Sequence, residues 1–248
     1  MRSLYEKSKW GFALLWIGAY IVLGAGADLL GRAFGTGFAG KAVLYCLMTA
    51  ALLFFFRQNG LQKRFGLCRL AVPARRFLWF LPLAVICLGN LLPGVALPDT
   101  AFGTAAQTVC MLCVGILEEL LFRGLLFRAM EQKGETAAIV GSSVLFGLMH
   151  LLNLFNGTPV LFVLCQVAFT TTLGFLFALI LARGKSMIPC IAAHCVADVT
   201  SVFTDQSALT LHRAMLLCAA ATVVALLYLL FLLKTLPKIE KTPDEPAS

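Results

Sequence analysis

Eight times along its 248 residues this chain runs apolar for about the 20 residues that a helix needs to cross a bilayer. The stretches are 11–31, 41–56, 77–97, 104–128, 136–155, 159–182, 187–204 and 211–234. Hydrocarbon offers no partner to a backbone N–H or C=O, so continuous apolar runs of this length are read as helices that satisfy their own backbones. The expectation is an all-α, polytopic membrane bundle of about eight transmembrane helices. It forms one domain over 1–234, followed by a polar cytoplasmic tail, 235–248. The composition agrees. Hydrophobic residues make up 60% and charged residues 13%, with a mean hydropathy of +0.90, whereas a soluble domain is about half apolar and roughly one-quarter charged. No room is left for a large soluble domain.

The charge pattern orients the bundle. With the N-terminus inside, sixteen of the twenty Lys and Arg residues fall on inner segments and three, Arg32, Lys41 and Arg213, fall outside; the last, Arg123, lies within the fourth span. That asymmetry is the positive-inside pattern, and it places both termini in the cytoplasm of a multi-pass cell-membrane protein. Arg2, Lys7 and Lys9 before the first run resemble a signal peptide, but no small-residue cleavage site follows and the run is long enough to span. It is read as the first transmembrane helix. The formal charge of +8 therefore needs no nucleic-acid partner. The basic loop from Arg57 to Arg76, broken by Gly60, Gly66 and Pro73, reads as a solvated inner loop beside anionic headgroups. Pro93 and Pro98 bracket the outer end of the third span, and Asn156-Gly157-Thr158-Pro159 reads as a tight outer turn. The nine cysteines lie mostly in apolar segments and read as small hydrophobes. Cys110 and Cys113 form a CxxC, but neither a βαβ context nor a second pair accompanies it, so neither redox chemistry nor zinc is assigned to it.

Ionisable residues inside spans are costly and normally face a protein interior or a water-filled cavity. The fourth span contains Glu118, Glu119 and Arg123. Glu119 and Arg123 are four apart and share a helix face, which permits an ion pair. Glu118 lies about 100° round the helix and points elsewhere. Neutralising Arg123 explains Glu119 well and Glu118 badly. Two of the three histidines also sit in apolar stretches: Phe146 and His150 are four apart in the fifth, and His194 and Asp198 are four apart in the seventh. Taken singly, His150 could be a satisfied core residue and His194 could simply bond Asp198 to help pack its helix. Counted at about 1.5 Å per residue from the inner ends, Glu118 lies about 15 Å deep, His150 about 21 Å and His194 about 12 Å, so three antiparallel neighbours can line one cavity.

Read together, these residues resemble the CPBP family of intramembrane proteases, which contains the eukaryotic CAAX prenyl endopeptidase and bacterial self-immunity proteins. The family pattern is EExxxR, FxxxH and HxxxN or HxxxD on successive core helices. Here it reads Glu118-Glu119-Leu-Leu-Phe-Arg123, Phe146-Gly-Leu-Met-His150 and His194-Cys-Val-Ala-Asp198. The resemblance implies a conical polar cavity facing the cytoplasm, with a catalytic core at about 104–204. It also implies hydrolysis of a peptide bond in a membrane protein or peptide. Glu118 would be the general base, His150 would hold the water, and His194 with Asp198 would stabilise the oxyanion, supported by Glu119, Arg123 and Phe146. The family is also described as metalloproteases, and Glu118, His150 and His194 could hold zinc. Asp198 departs from the stricter asparagine form; an ionised aspartate would repel an oxyanion unless it acts by orienting His194. Two readings of other classes stand beside this one. A proton-coupled transporter would use the same acids as a relay, but no internal repeat supports it. A non-catalytic immunity or binding protein would be expected to have lost part of the Glu, His and His set.

Overall fold

The computed structural model describes residues 1–97 and 100–236. Pro98 and the tail from residue 237 onward, with Lys238 and Lys241, lie outside the described residues. Among the described residues the secondary structure is helical throughout, apart from an isolated bridge between Val95 and Thr204. The helices are α1 Arg2–Lys7, α2 Lys9–Phe34, α3 Ala39–Gln58, α4 Leu81–Leu88, α5 Ala101–Glu119, α6 Phe127–Met130, α7 Glu135–Met149, α8 Val160–Gly184, α9 Ile188–Val202 and α10 Leu211–Thr235. Hydroxyl caps start three of the long ones. Ser8, Thr100 and Thr210 accept from the backbone N–H of Gly11, Gly103 and Arg213, supplying a partner to groups a first helical turn leaves open.

Six helical stretches have the length and hydropathy to cross a membrane: Lys9–Phe34, Ala39–Gln58, Ala74–Leu91, Glu135–Asn156, Val160–Gly184 and Leu211–Thr235. The other two expected spans are those carrying Glu118 and His194. The fourth runs without a break from α5 through a π-helical stretch, Leu120–Leu126, into α6. The seventh, α9, is apolar but only 15 residues long. An all-α polytopic membrane bundle is therefore the architecture.

Two apolar clusters hold it together. One joins α2, α3, α5 and the π stretch with Phe146 of α7; the other joins Phe77, α4, α8, α9 and α10. The basic loop between α3 and α4 is less free than its composition suggests. Arg57, Lys63, Arg69, Arg75 and Arg76 are exposed, yet the backbone is laced to the turn between α8 and α9. Met187 N–H donates to the Gly66 carbonyl at 2.8 Å, Ala71 N–H to that of Gly184 at 2.9 Å, and the Ser186 hydroxyl to that of Cys68 at 2.6 Å.

Candidate active site

The polar residues of the apolar interior gather where α5 meets α9. The two helices approach closely because residue 115 is glycine: a Cβ there would lie 2.9 Å from the Cys195 backbone nitrogen. One turn further along α5, the acid pair thereby comes beside His194. Helix α9 is also fixed from behind. Asn90 Nδ2 donates to the Ala197 carbonyl at 2.8 Å, and the Thr200 hydroxyl donates to that of Cys87 at 2.8 Å.

The adjacent glutamates face different partners, as helix phase predicts. Glu119 Oε1 accepts from Arg123 Nη1 at 3.0 Å and from His194 Nδ1 at 2.9 Å, and the Glu119 and Arg123 side chains are fully buried. The Arg123 guanidinium lies 4.1 Å from the centroid of Phe146 and 5.4 Å from that of Phe177, rings belonging to the two different apolar clusters. The site therefore occupies the seam between them. Glu118 turns away from this pair. Its Oε1 accepts from the Tyr20 hydroxyl at 2.7 Å, and its Oε2 lies 3.6 Å from His194 Nε2. Asp198 Oδ2 lies 3.8 Å from the same nitrogen and has no hydrogen-bond partner among the described residues.

A carboxylate can only accept, so His194 Nδ1 carries the proton it shares with Glu119. At 3.6 and 3.8 Å, Nε2 is beyond hydrogen-bond length from either neighbour and stays uncommitted. An imidazolium at His194 would present one N–H to Glu119 and the other to the space between Glu118 and Asp198. His150 begins the 3₁₀ stretch that continues α7. Its Nδ1 lies 3.2 Å from the Phe146 carbonyl, so that nitrogen donates and the neutral ring keeps its lone pair on Nε2. His150 makes no hydrogen bond to Glu118; the Phe146 ring instead meets both imidazoles edge to face, His150 at 5.4 Å and His194 at 5.8 Å between centroids. Both histidines thus pack edge to face against one aromatic ring.

Residues 100–200 match the family of type II CAAX prenyl endopeptidases, Rce1-like. This stretch is similar to that family. It contains all three motifs, and the apolar helices around it fit a multi-pass membrane protein. Neither a curated protein nor a solved structure matches the chain significantly.

Within this Rce1-like stretch the structure brings Glu118, Glu119, Arg123, His194 and Asp198 into direct contact range and sets His150 behind Phe146. Two neighbours were missed in the sequence. Phe177 gave no signal beyond an ordinary apolar residue. Tyr20 gave a faint one: a tyrosine in the middle of an apolar span needs a partner for its hydroxyl, but nothing in the sequence says which. Cavities of about 360 and 490 Å³ open elsewhere, one beside Gly26 and Gly40 and the other beside Thr108 and Phe203. Both are apolar and neither is the polar cone expected around Glu118, whose side chain is 12% exposed.

Zinc was a further expectation for Glu118, His150 and His194. Among the described residues no three His, Cys, Asp or Glu side chains come together in a group that could hold a metal ion. His194 Nε2 faces Glu118 and Asp198, while the His150 ring packs on Phe146.

Proposed function

We propose that the protein is an intramembrane endopeptidase that uses a water activated by Glu118 to hydrolyse a peptide bond in a membrane protein or membrane-associated peptide. The observation that carries this reading is the pairing of an acceptor and a donor with no other duties. Glu118 Oε2 and His194 Nε2 lie 3.6 Å apart, and neither is in a hydrogen bond. A water held on Oε2 and a carbonyl oxygen held on the Nε2–H would be neighbours, which is the geometry that addition to a carbonyl requires. Glu118 takes the proton of the attacking water. The His194 N–H then meets the negative charge as it develops on the carbonyl oxygen, in surroundings of low dielectric where such a donor counts most. Proton return from Glu118 to the leaving amine completes the cycle.

Charge balance supports the same division of roles. With Glu118, Glu119 and Asp198 ionised, Arg123 and an imidazolium at His194 leave one negative charge, which a base requires. Asp198, facing Nε2 from the next turn of α9, acts as the anion that favours this imidazolium rather than as a donor to the substrate. His150, with its Nε2 lone pair free, is assigned to orient the water by accepting a hydrogen bond from its second O–H. The bundle receives its substrate from the lipid or cytoplasmic side, with both termini in the cytoplasm.

Purified protein assayed on a library of membrane-associated peptides tests the reading. Glu118→Gln is expected to lower turnover by about 10²–10⁴-fold, the range of a lost general base. Turnover should survive exhaustive dialysis against a chelator. Full activity in Glu118→Gln removes Glu118 from the mechanism, and activity that falls on chelation and returns with zinc replaces the side-chain mechanism with a metal one.

A further inference from the structure

Among the groups touching Glu118, the closest comes from outside the family-matched stretch. Tyr20 lies in α2, 98 residues before Glu118, and its hydroxyl donates to Oε1 at 2.7 Å, within the short range of hydrogen bonds to carboxylates. The tyrosine is 7% exposed. It is also held in place. Its ring stacks on that of Tyr45 in α3, 5.0 Å between centroids and 25° from parallel. Tyr45 in turn reaches the α2 backbone because residue 24 is glycine, where a Cβ would run into its hydroxyl. The Tyr45 hydroxyl points back at the Tyr20 carbonyl, 3.5 Å away. A stack of two aromatic rings from two helices therefore aims one hydroxyl at one carboxylate oxygen.

We infer that Tyr20 is a positioning residue for Glu118: by occupying Oε1 it fixes the carboxylate rotamer and leaves Oε2, the oxygen facing His194, as the atom that takes the proton. The inference rests on the reading of Glu118 as the base. Without the hydroxyl the carboxylate can rotate, and either oxygen, or neither, faces the water. The ring itself does not do this, since its packing against Tyr45 would survive loss of the oxygen.

The test uses the full chain and the same peptide assay. Tyr20→Phe removes the oxygen and keeps the stack; it is expected to lower kcat about tenfold or more while KM stays within twofold and Tm is unchanged. A second measurement covers the case in which this variant folds poorly. Fluorinated tyrosines placed at position 20 alone keep the shape and grade the acidity of the phenol, and kcat should change in step with that acidity. A purely structural tyrosine would give no such trend. Full kcat in Tyr20→Phe, or kcat indifferent to fluorination, overturns the inference. Should Glu118→Gln prove fully active, the reading of Glu118 fails first; should Glu118→Gln be inactive and Tyr20→Phe fully active, only the role of Tyr20 fails.

Discussion

Glu119 and Arg123 are both fully buried, and the guanidinium has one carboxylate and two aromatic faces for company. Removing one member of a buried ion pair costs about 3–5 kcal/mol because the survivor is left uncompensated. Glu119→Gln should therefore destabilise the fold by an amount in that range, read as a lower Tm and a lower yield of folded protein in detergent. Glu118→Gln should leave both nearly as they are, because Arg123 and His194 keep Glu119 as their hydrogen-bonded partner. Equal losses of Tm in the two variants would contradict the division. Helix phase alone predicts this split, since residues four apart share a face and Glu118 lies off it. The same arithmetic could not reveal that His194 bonds Glu119 as well, or that Asp198 stops at 3.8 Å from the imidazole. Those depend on how far two separate helices stand apart.

At the scale of elements, Gly115 sets that separation. Adding a side chain where a Cβ already meets the Cys195 backbone at 2.9 Å must push α5 and α9 apart, and overpacking of this kind costs about 1–3 kcal/mol. Gly115→Val is expected to lose turnover disproportionately to its loss in Tm, because His194 withdraws from both glutamates before the bundle unfolds. Wild-type turnover in a folded Gly115→Val protein would show that the approach is not tight. Helices were legible as elements because length and apolarity decide what a bilayer accepts. Their internal form was not. Whether an N–H finds the carbonyl three, four or five residues back leaves no mark on hydropathy, so the π stretch at Leu120–Leu126 and the 3₁₀ stretch beginning at His150 stayed hidden. The π stretch matters here, for π-bulges gather at functional sites, and all seven of its residues are buried.

For the whole molecule, the distribution of Lys and Arg predicts a bundle with α2 leaving the cytoplasm. In a protein freed of its native cysteines, a cysteine at Lys63 should react with an impermeant thiol reagent only after the cytoplasmic face is opened. One at Asn156 should react in intact cells; the opposite pattern would invert the topology. The long-range contact between Tyr20 and Glu118 was beyond reach of the sequence, because neither residue's neighbours identify the other across 98 positions. That contact also bears on how the chain is made. Helix α5 ends on Glu118 and Glu119, and Arg123 follows in its continuation; a charge at mid-helix costs about 2.5–3.5 kcal/mol on leaving a translocon alone. Tyr20 has already emerged from the ribosome when Glu118 appears, whereas His194 follows Glu119 by 75 residues. The acid pair thus meets its phenol partner in chain already made and its imidazole partner only in chain made later.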